Sequence, residues 1–431
     1  MINLNTQQTK ARELILEWFK NKNKQVFVLS GYAGTGKTTL INYIINELNL
    51  GDKIAFATPT GKAASVLIQK GSLASTIHHL IYTPVEKNTK VEINGKEVKI
   101  KKTEFIKKRN IGDYKLIVID EISMVSNEIL NDLLSYKIPL LVTGDPAQLP
   151  PVASDYNKLL ETPDYTLTEI VRQAKDNMII QMANKVRNNE KIYFGQNVNY
   201  DDQIIIYNKK LLTQYDINNL MLSVDQILCG RNSTREKLNK DYRYIKGFNS
   251  NYPIDGEKLI CNLNNYEITF EDKYNIANGI QGSITNFKIL DEDLKLAKID
   301  FKPDFSDEVI KDILIDYNVF ITGQYLYPKH QTIYLTYEGK YKPKLIITPE
   351  VKTSKNFKTK VREEKQNKLS SIGEFIVNQF DYSYAISVHK AQGSEWDTIL
   401  IFDESYLFGK DSNKWLYTAI TRGKKKVIII R

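Results

Sequence analysis

Metal- and disulfide-forming side chains are scarce in this chain. Cys229 and Cys261 are the only cysteines in 431 residues, and the four histidines are scattered. No zinc or iron–sulfur ligand spacing can be built from them, and both thiols read as inert core residues. Long apolar runs are also missing. No stretch approaches the roughly 20 apolar residues of a membrane span, and the start, MINLNTQQTKARELI, has no apolar signal core. The expectation is a soluble intracellular protein without a membrane partner. No internal repeat is visible.

What is present belongs to a folded protein. Hydrophobic residues make up 42% and charged residues 26% of the sequence, ordinary values for a globular chain. The length predicts two or more domains. A formal charge of +9 is a mild basic excess that suits a polyanionic partner.

Short apolar runs alternate with amphipathic stretches in the first 150 residues: VFVLS at 26–30, IAFA at 54–57, LIVI at 116–119 and LLVT at 140–143. That rhythm predicts βαβ units on a parallel sheet. A second set, QILC at 226–229, TILIF at 398–402 and VIII at 427–430, predicts a second α/β core. Between strands of the first core, VEINGKEVKIKK at 91–102 carries Asn94-Gly95 between alternating residues, a hairpin signal. Residues 251–375 are rich in Tyr, Ile, Thr and Lys and poor in helical periodicity, which predicts an inserted β-rich module. The charged segment 352–368 reads as a solvated helix or a loose connector.

The sequence GYAGTGKT at 31–38 matches G-x-x-x-x-G-K-[ST], with an apolar strand before it and a helical pattern after it. This context identifies a phosphate-binding loop. Glycines let backbone N–H groups approach phosphates, and the helix N-terminus adds partial positive charge. The expected ATP contacts are Gly34, Thr35, Gly36, Lys37, Thr38 and Thr39, with Lys37 on the β and γ phosphates and Thr38 on magnesium. Asp120-Glu121 closes the run LIVI, so two carboxylates stand at a strand's C-terminal edge. Asp120 is expected in the magnesium shell and Glu121 as the general base for the attacking water. The loop Gly144-Asp145-Pro146-Ala147-Gln148 offers Gln148 as a γ-phosphate sensor.

The motifs GYAGTGKT, ATPTGKAA, STIHHL, DEIS, GDPAQLPPV, LTEIVRQA, YAISVHKAQGSEWD and YTAITRGKK, in that order, resemble the motif series of superfamily 1 helicases, the RecD and Dda branch above all. The resemblance runs from Gln8 to Arg422. It implies that Gln8 contacts adenine, that Glu121 is the catalytic base, and that Arg172 and Arg422 reach the γ phosphate from the second core. A planar, permanently charged guanidinium suits that task. For a nucleic-acid track it carries over Pro59, Thr60 and His78, and His389, Gln392 and Ser394 of VHKAQGS. Lys62 and Lys390 add charge. In isolation each histidine reads equally well as a core, capping or strand-end residue. Ser387 departs from the threonine often found in the family.

The implied fold is α/β: two RecA-like P-loop cores with parallel sheets, a β-hairpin insertion (the pin) in the first and an SH3-like β-rich insertion in the second. The expected domains are 1–84 with 111–170, the pin at 85–110, 171–250 with 376–431, and the insertion at 251–375. No attached relaxase or nuclease domain is expected. The implied activity is an ATP-dependent DNA helicase moving 5′ to 3′, with ATP and magnesium as cofactors. Expected partners are single-stranded DNA, duplex junctions and single-strand-binding or replication proteins. A cytoplasmic monomer in a bacterial or phage-infected cell would fit. Two readings stay open beside it: an RNA or mixed nucleic-acid translocase, and an ATP-regulated single-strand-binding module.

Overall fold

Strands without polar interruption are buried on both faces, and the run Leu116–Ile119 is fully buried at all four positions. Such strands belong in the middle of a parallel sheet covered by helices. In the computed structural model they do form one. Residues 3–69, 74–93, 96–150, 157–171, 177–190, 197–271, 274–293, 295–327, 332–338, 342–347 and 372–431 are described. Arg172, the Asn94-Gly95 turn and the charged segment 352–368 lie outside them.

The first sheet has six parallel strands in the order Ala74–Thr76, Ile54–Thr58, Leu116–Ile119, Leu140–Gly144, Val26–Gly31, Tyr165–Leu167. Helices Thr6–Asn21 and Lys37–Leu48 pack on it through Ala11, Ile15 and Trp18 and through Leu40, Ile41 and Ile44, all buried. Those spacings place each set on one helical stripe. Burial of each such aliphatic side chain contributes on the order of 2 kcal/mol.

The second sheet runs Ala385–Ser387, Gln226–Cys229, Trp396–Phe402, Gly423–Ile430, Ile204–Tyr207, Val198–Tyr200. Only the last pair is antiparallel. Helices Met178–Arg187 and Ser412–Ile420 pack against each other beside it. Both sheets lie in one compact unit made of Met1–Ile81, Lys107–Lys246 and Tyr384–Arg431.

The chain leaves that unit after Lys246 and returns at Tyr384. The host is tied across this gap. Asn239 donates to the Ala385 carbonyl at 3.0 Å and accepts from the Ala385 N–H at 2.9 Å. Tyr242 stacks on Tyr384 with ring centres 4.2 Å apart.

The second compact unit comprises Tyr82–Ile106 and Gly247–Ser383. It contains an antiparallel five-stranded sheet, in the order Ile310–Asp316, Leu296–Pro303, Gln281–Asp291, Lys258–Cys261, Phe380–Tyr382. Smaller sheets join Asn265–Phe270 to Tyr274–Ile276 and set Thr332–Glu338 between Lys342–Ile347 and Ile372–Ile376. Tyr82–Ile93 and Lys96–Lys107 form a two-stranded sheet longer than the stretch 91–102 that signals it. Cys229 and Cys261, one in each unit, are free and buried. Burial pushes the Cys229 thiol up to about 12, so it is an unreactive core group.

Candidate functional site

The strand Val26–Gly31 delivers the phosphate loop to the helix Lys37–Leu48. Gly34 and Gly36 both take the left-handed conformation, each with φ of 76°, which glycine adopts without steric cost. At Gly36 space also forbids a side chain, because a Cβ would stand 2.5 Å from the Gln8 amide nitrogen. Gln8 is held in two ways. With Asn5 it forms a capping box at the start of the first helix, and its Nε2 donates to the Thr35 carbonyl at 3.1 Å. The Lys37 ammonium donates back to the carbonyls of Gly31 at 2.7 Å and Tyr32 at 3.1 Å. Thr35 is buried, Thr38 half-buried and Thr39 exposed.

Asp120 and Glu121 stand at the end of Leu116–Ile119. Glu121 is left-handed, with φ of 57°, uncommon for a residue with a long side chain. Its N–H donates to the Asp120 carboxylate at 2.9 Å. Burial pushes the Glu121 carboxyl up to about 7. Asp120 and Asp145 push in the same direction, while Arg422 and Lys37 pull it down. These five groups therefore share one electrostatic site.

The second sheet reaches this site through the helix Ser412–Ile420. The Tyr417 hydroxyl donates to Asp145 at 2.6 Å and accepts from the N–H of Ala33, inside the phosphate loop, at 2.8 Å. Burial, and then Asp145, push its pKa up, so it stays a neutral donor. The Leu149 N–H donates to Thr418 at 2.9 Å, and the Gln392 side chain donates to the Leu149 carbonyl at 2.7 Å. Gln148 is buried, and its Oε1 has no hydrogen-bond partner among the described residues. Arg422 is buried, donating to the carbonyls of Thr418 and Ser394 and to the Thr421 hydroxyl.

Known proteins match the same two regions. The AAA domain family matches residues 3–205, and the UvrD-like helicase C-terminal domain matches residues 382–430. The RecBCD enzyme subunit RecD of Buchnera aphidicola subsp. Schizaphis graminum is 26% identical over 445 residues, 94% of this chain and 70% of that protein. The ATP-dependent DNA helicase dda of Enterobacteria phage T4 is 31% identical over 201 residues, 43% of each chain. The ATP-dependent RecD2 DNA helicase of Deinococcus radiodurans is 32% identical over 180 residues, 40% of this chain and 23% of that one. Across these two regions the chain is similar to superfamily 1 helicases of the RecD, Pif1 and Dda group. It spans less than half the length of the first curated relatives it matches. A crystal structure of Pif1 helicase from Bacteroides, in complex with ADP-AlF3 and ssDNA, shares the fold. Its TM-score is 0.50 at 18% identity, over 100% of this chain and 92% of that one.

The track residues implied by the resemblance are spread over several elements. Pro59 and Thr60 follow the strand Ile54–Thr58, and the Thr60 hydroxyl accepts from the Ala63 N–H at 3.2 Å. The loop containing Gly393 closes on them, since a Cβ there would lie 3.1 Å from Ala63. Lys62 lies over the Trp396 ring, 4.5 Å from its centre. His389 stands 5.8 Å from the Phe408 ring, and His78 sits on the separate short helix Ile77–Ile81. Burial lowers the pKa of both histidines, so both are neutral at pH 7. Gln392 and Ser394 are buried where the two sheets' loops meet.

Tyr417, Thr418 and Asp145 are site residues that no sequence motif singles out, although they lie within GDPAQLPPV and YTAITRGKK. The missed signal was a tyrosine hydroxyl on a helix that ends just before an arginine five positions further on. Among the described residues no helix is long and apolar enough to cross a membrane.

Proposed function

We propose that the chain is an ATP-dependent DNA helicase that translocates 5′ to 3′ on single-stranded DNA and unwinds duplex ahead of it. The observation that carries this is the Tyr417 bridge, which ties the phosphate loop and Asp145 to the helix Ser412–Ile420, in the turn after which Arg422 stands. A nucleotide in the loop must therefore be felt by both sheets.

The geometry supports these roles for the described residues, and the role of Arg172 rests on the family resemblance. Lys37 exchanges its two loop carbonyls for the β and γ phosphates. Gln8, beside Thr35 and Gly36, takes adenine. Glu121 accepts a proton from the water that attacks the γ phosphorus; the new P–O bond forms as the bond to the β-phosphate oxygen breaks, releasing ADP and phosphate. The free Oε1 of Gln148 orients that water. Arg422 and Arg172 offset charge developing on the γ phosphoryl oxygens.

Magnesium suits the oxygen donors here. The Thr38 hydroxyl and Asp120 carboxylate are hard ligands, and an acidic cluster strong enough to lift Glu121 favours a cation. Among the described residues no three His, Cys, Asp or Glu side chains converge on one point, and a cation bound together with nucleotide phosphates needs no such cage. When bound, magnesium would neutralise phosphate charge.

In this reading 1–84 with 111–170 and 171–250 with 376–431 are the two RecA-like cores, 85–110 is the pin and 251–375 the SH3-like module. Pro59, Thr60, Lys62, His78, His389, Gln392 and Ser394 serve the strand, largely through its backbone. The chain acts as a cytoplasmic monomer on single strands and junctions, alongside single-strand-binding or replication proteins. Strand displacement tests all of this together: 5′-tailed DNA duplex should be unwound with ATP and 3′-tailed duplex should not. Failure on the 5′ tail, or equal activity on 5′-tailed RNA, sinks it.

A further inference from the structure

One arginine outside the motif series approaches the phosphate loop. Arg187 ends the helix Met178–Arg187, which packs on the helix carrying Tyr417. Its guanidinium carbon lies 3.7 Å from the centre of the Tyr32 ring, and Tyr32 is the second residue of the loop. Stacking of this kind fixes the plane of a guanidinium and leaves its edge free to donate. Nε donates to the Asn188 side chain at 3.3 Å, but Nη1 is buried with no hydrogen-bond partner among the described residues. A buried guanidinium donor without an acceptor is costly. Arg187 also acts on the Tyr417 hydroxyl, opposing the upward push from burial and Asp145.

The position along the loop indicates what would satisfy Nη1. Gln8 covers the Thr35–Gly36 end, where the helix Lys37–Leu48 begins. Arg187 lies at the opposite end, at Tyr32, beside the Ala33 amide held by Tyr417. In a loop of this type the helix end cradles the inner phosphates, and the lysine reaches towards the outer ones. The early residues of the loop therefore face the end of the triphosphate chain.

We propose that Arg187 binds the terminal phosphate of ATP, with Tyr32 as the platform that orients it, so that the chain distinguishes triphosphate from diphosphate. This rests on the ATP reading above. It adds a cation from the second sheet's side that stays in place through stacking when no nucleotide is bound.

The test is equilibrium binding of ATP and ADP to the full chain in a Glu121→Gln background, which slows turnover. Arg187→Gln should weaken ATP about tenfold or more, the loss expected for one charge-assisted hydrogen bond, and leave ADP within about twofold. Arg187→Lys should recover part of the loss. Tyr32→Ala should reproduce the selective loss without touching the arginine. Equal weakening of ATP and ADP, or no change in either, overturns the assignment to the terminal phosphate. A parent chain that binds neither nucleotide overturns the ATP reading and this inference with it; a parent that discriminates normally beside an equally discriminating Arg187→Gln overturns this inference alone.

Discussion

The two six-stranded sheets have nearly the same construction and carry opposite chemistry at their loops. The first ends in Asp120, Glu121 and Asp145 beside the left-handed Gly34 and Gly36. That face is acidic, locally strained and shaped to take phosphate. The second contributes Tyr417, Gln392 and Arg422, all buried and all donating. Neither half is complete alone. Glu121 shows this most clearly, because a carboxyl lifted by its own sheet is pulled back by an arginine from the other. The difference teaches that the parallel scaffold is generic, and that the reactive site is made by pairing unlike ends of two similar sheets.

The largest test of this asymmetry removes the base. Glu121→Gln keeps shape and removes the proton acceptor, so steady-state ATP hydrolysis should fall by about 10²- to 10⁴-fold while strand binding is retained. In the parent chain the sign follows from a carboxyl at about 7. The ionised form is the base, so kcat/KM should rise with pH and level off above 7, and at pH 6 stand near a tenth of its plateau. The variant's residual rate should lack that limb. A parent limb near pH 4.5 would mean that Glu121 is not buried beside Asp120 and Asp145 as described.

Tyr417→Phe cuts the link from the opposite side. It keeps the ring and loses both the bond to Asp145 and the one from Ala33. A charged acceptor and a loop amide are left unmatched, so turnover should drop about tenfold or more. Unchanged turnover in hydrolysis assays would show that the hydroxyl is a packing detail.

The smallest effect is local to the first sheet. Thr60→Ala removes the acceptor for the Ala63 N–H at the start of the helix Gly61–Gln69, at a cost of about 1 kcal/mol in urea unfolding. A loss of strand affinity much larger than that stability change would separate its role on the track from its role as a cap.

The central strands were legible because continuous apolar runs such as LIVI and VIII have no other stable place. The edge strands Ala74–Thr76 and Tyr165–Leu167 were not, since three residues are too few to display a period. The phosphate loop was legible because its glycines are a local steric requirement. The left-handed Glu121 was not, for nothing in a glutamate announces that backbone. Gln8 was read for adenine, while its spacing from Asn5 also fits a capping box. The Tyr417 bridge was invisible for another reason: Asp145 and Tyr417 are 272 positions apart, and no local pattern encodes a contact of that range.

The tie between Asn239, Tyr242 and the segment at Tyr384–Ala385 has a consequence for how such chains diversify. The host fastens its own two cut ends to each other with two hydrogen bonds and a ring stack, so the sheet does not rely on the insert to hold them. Whatever emerges between Lys246 and Tyr384 is then a tenant of a doorway already framed. Lengthening it adds only the slow logarithmic cost of loop closure, and exchanging it leaves the sheet's register alone. Sequence change can accumulate in the insert while the residues around Glu121 stay untouched.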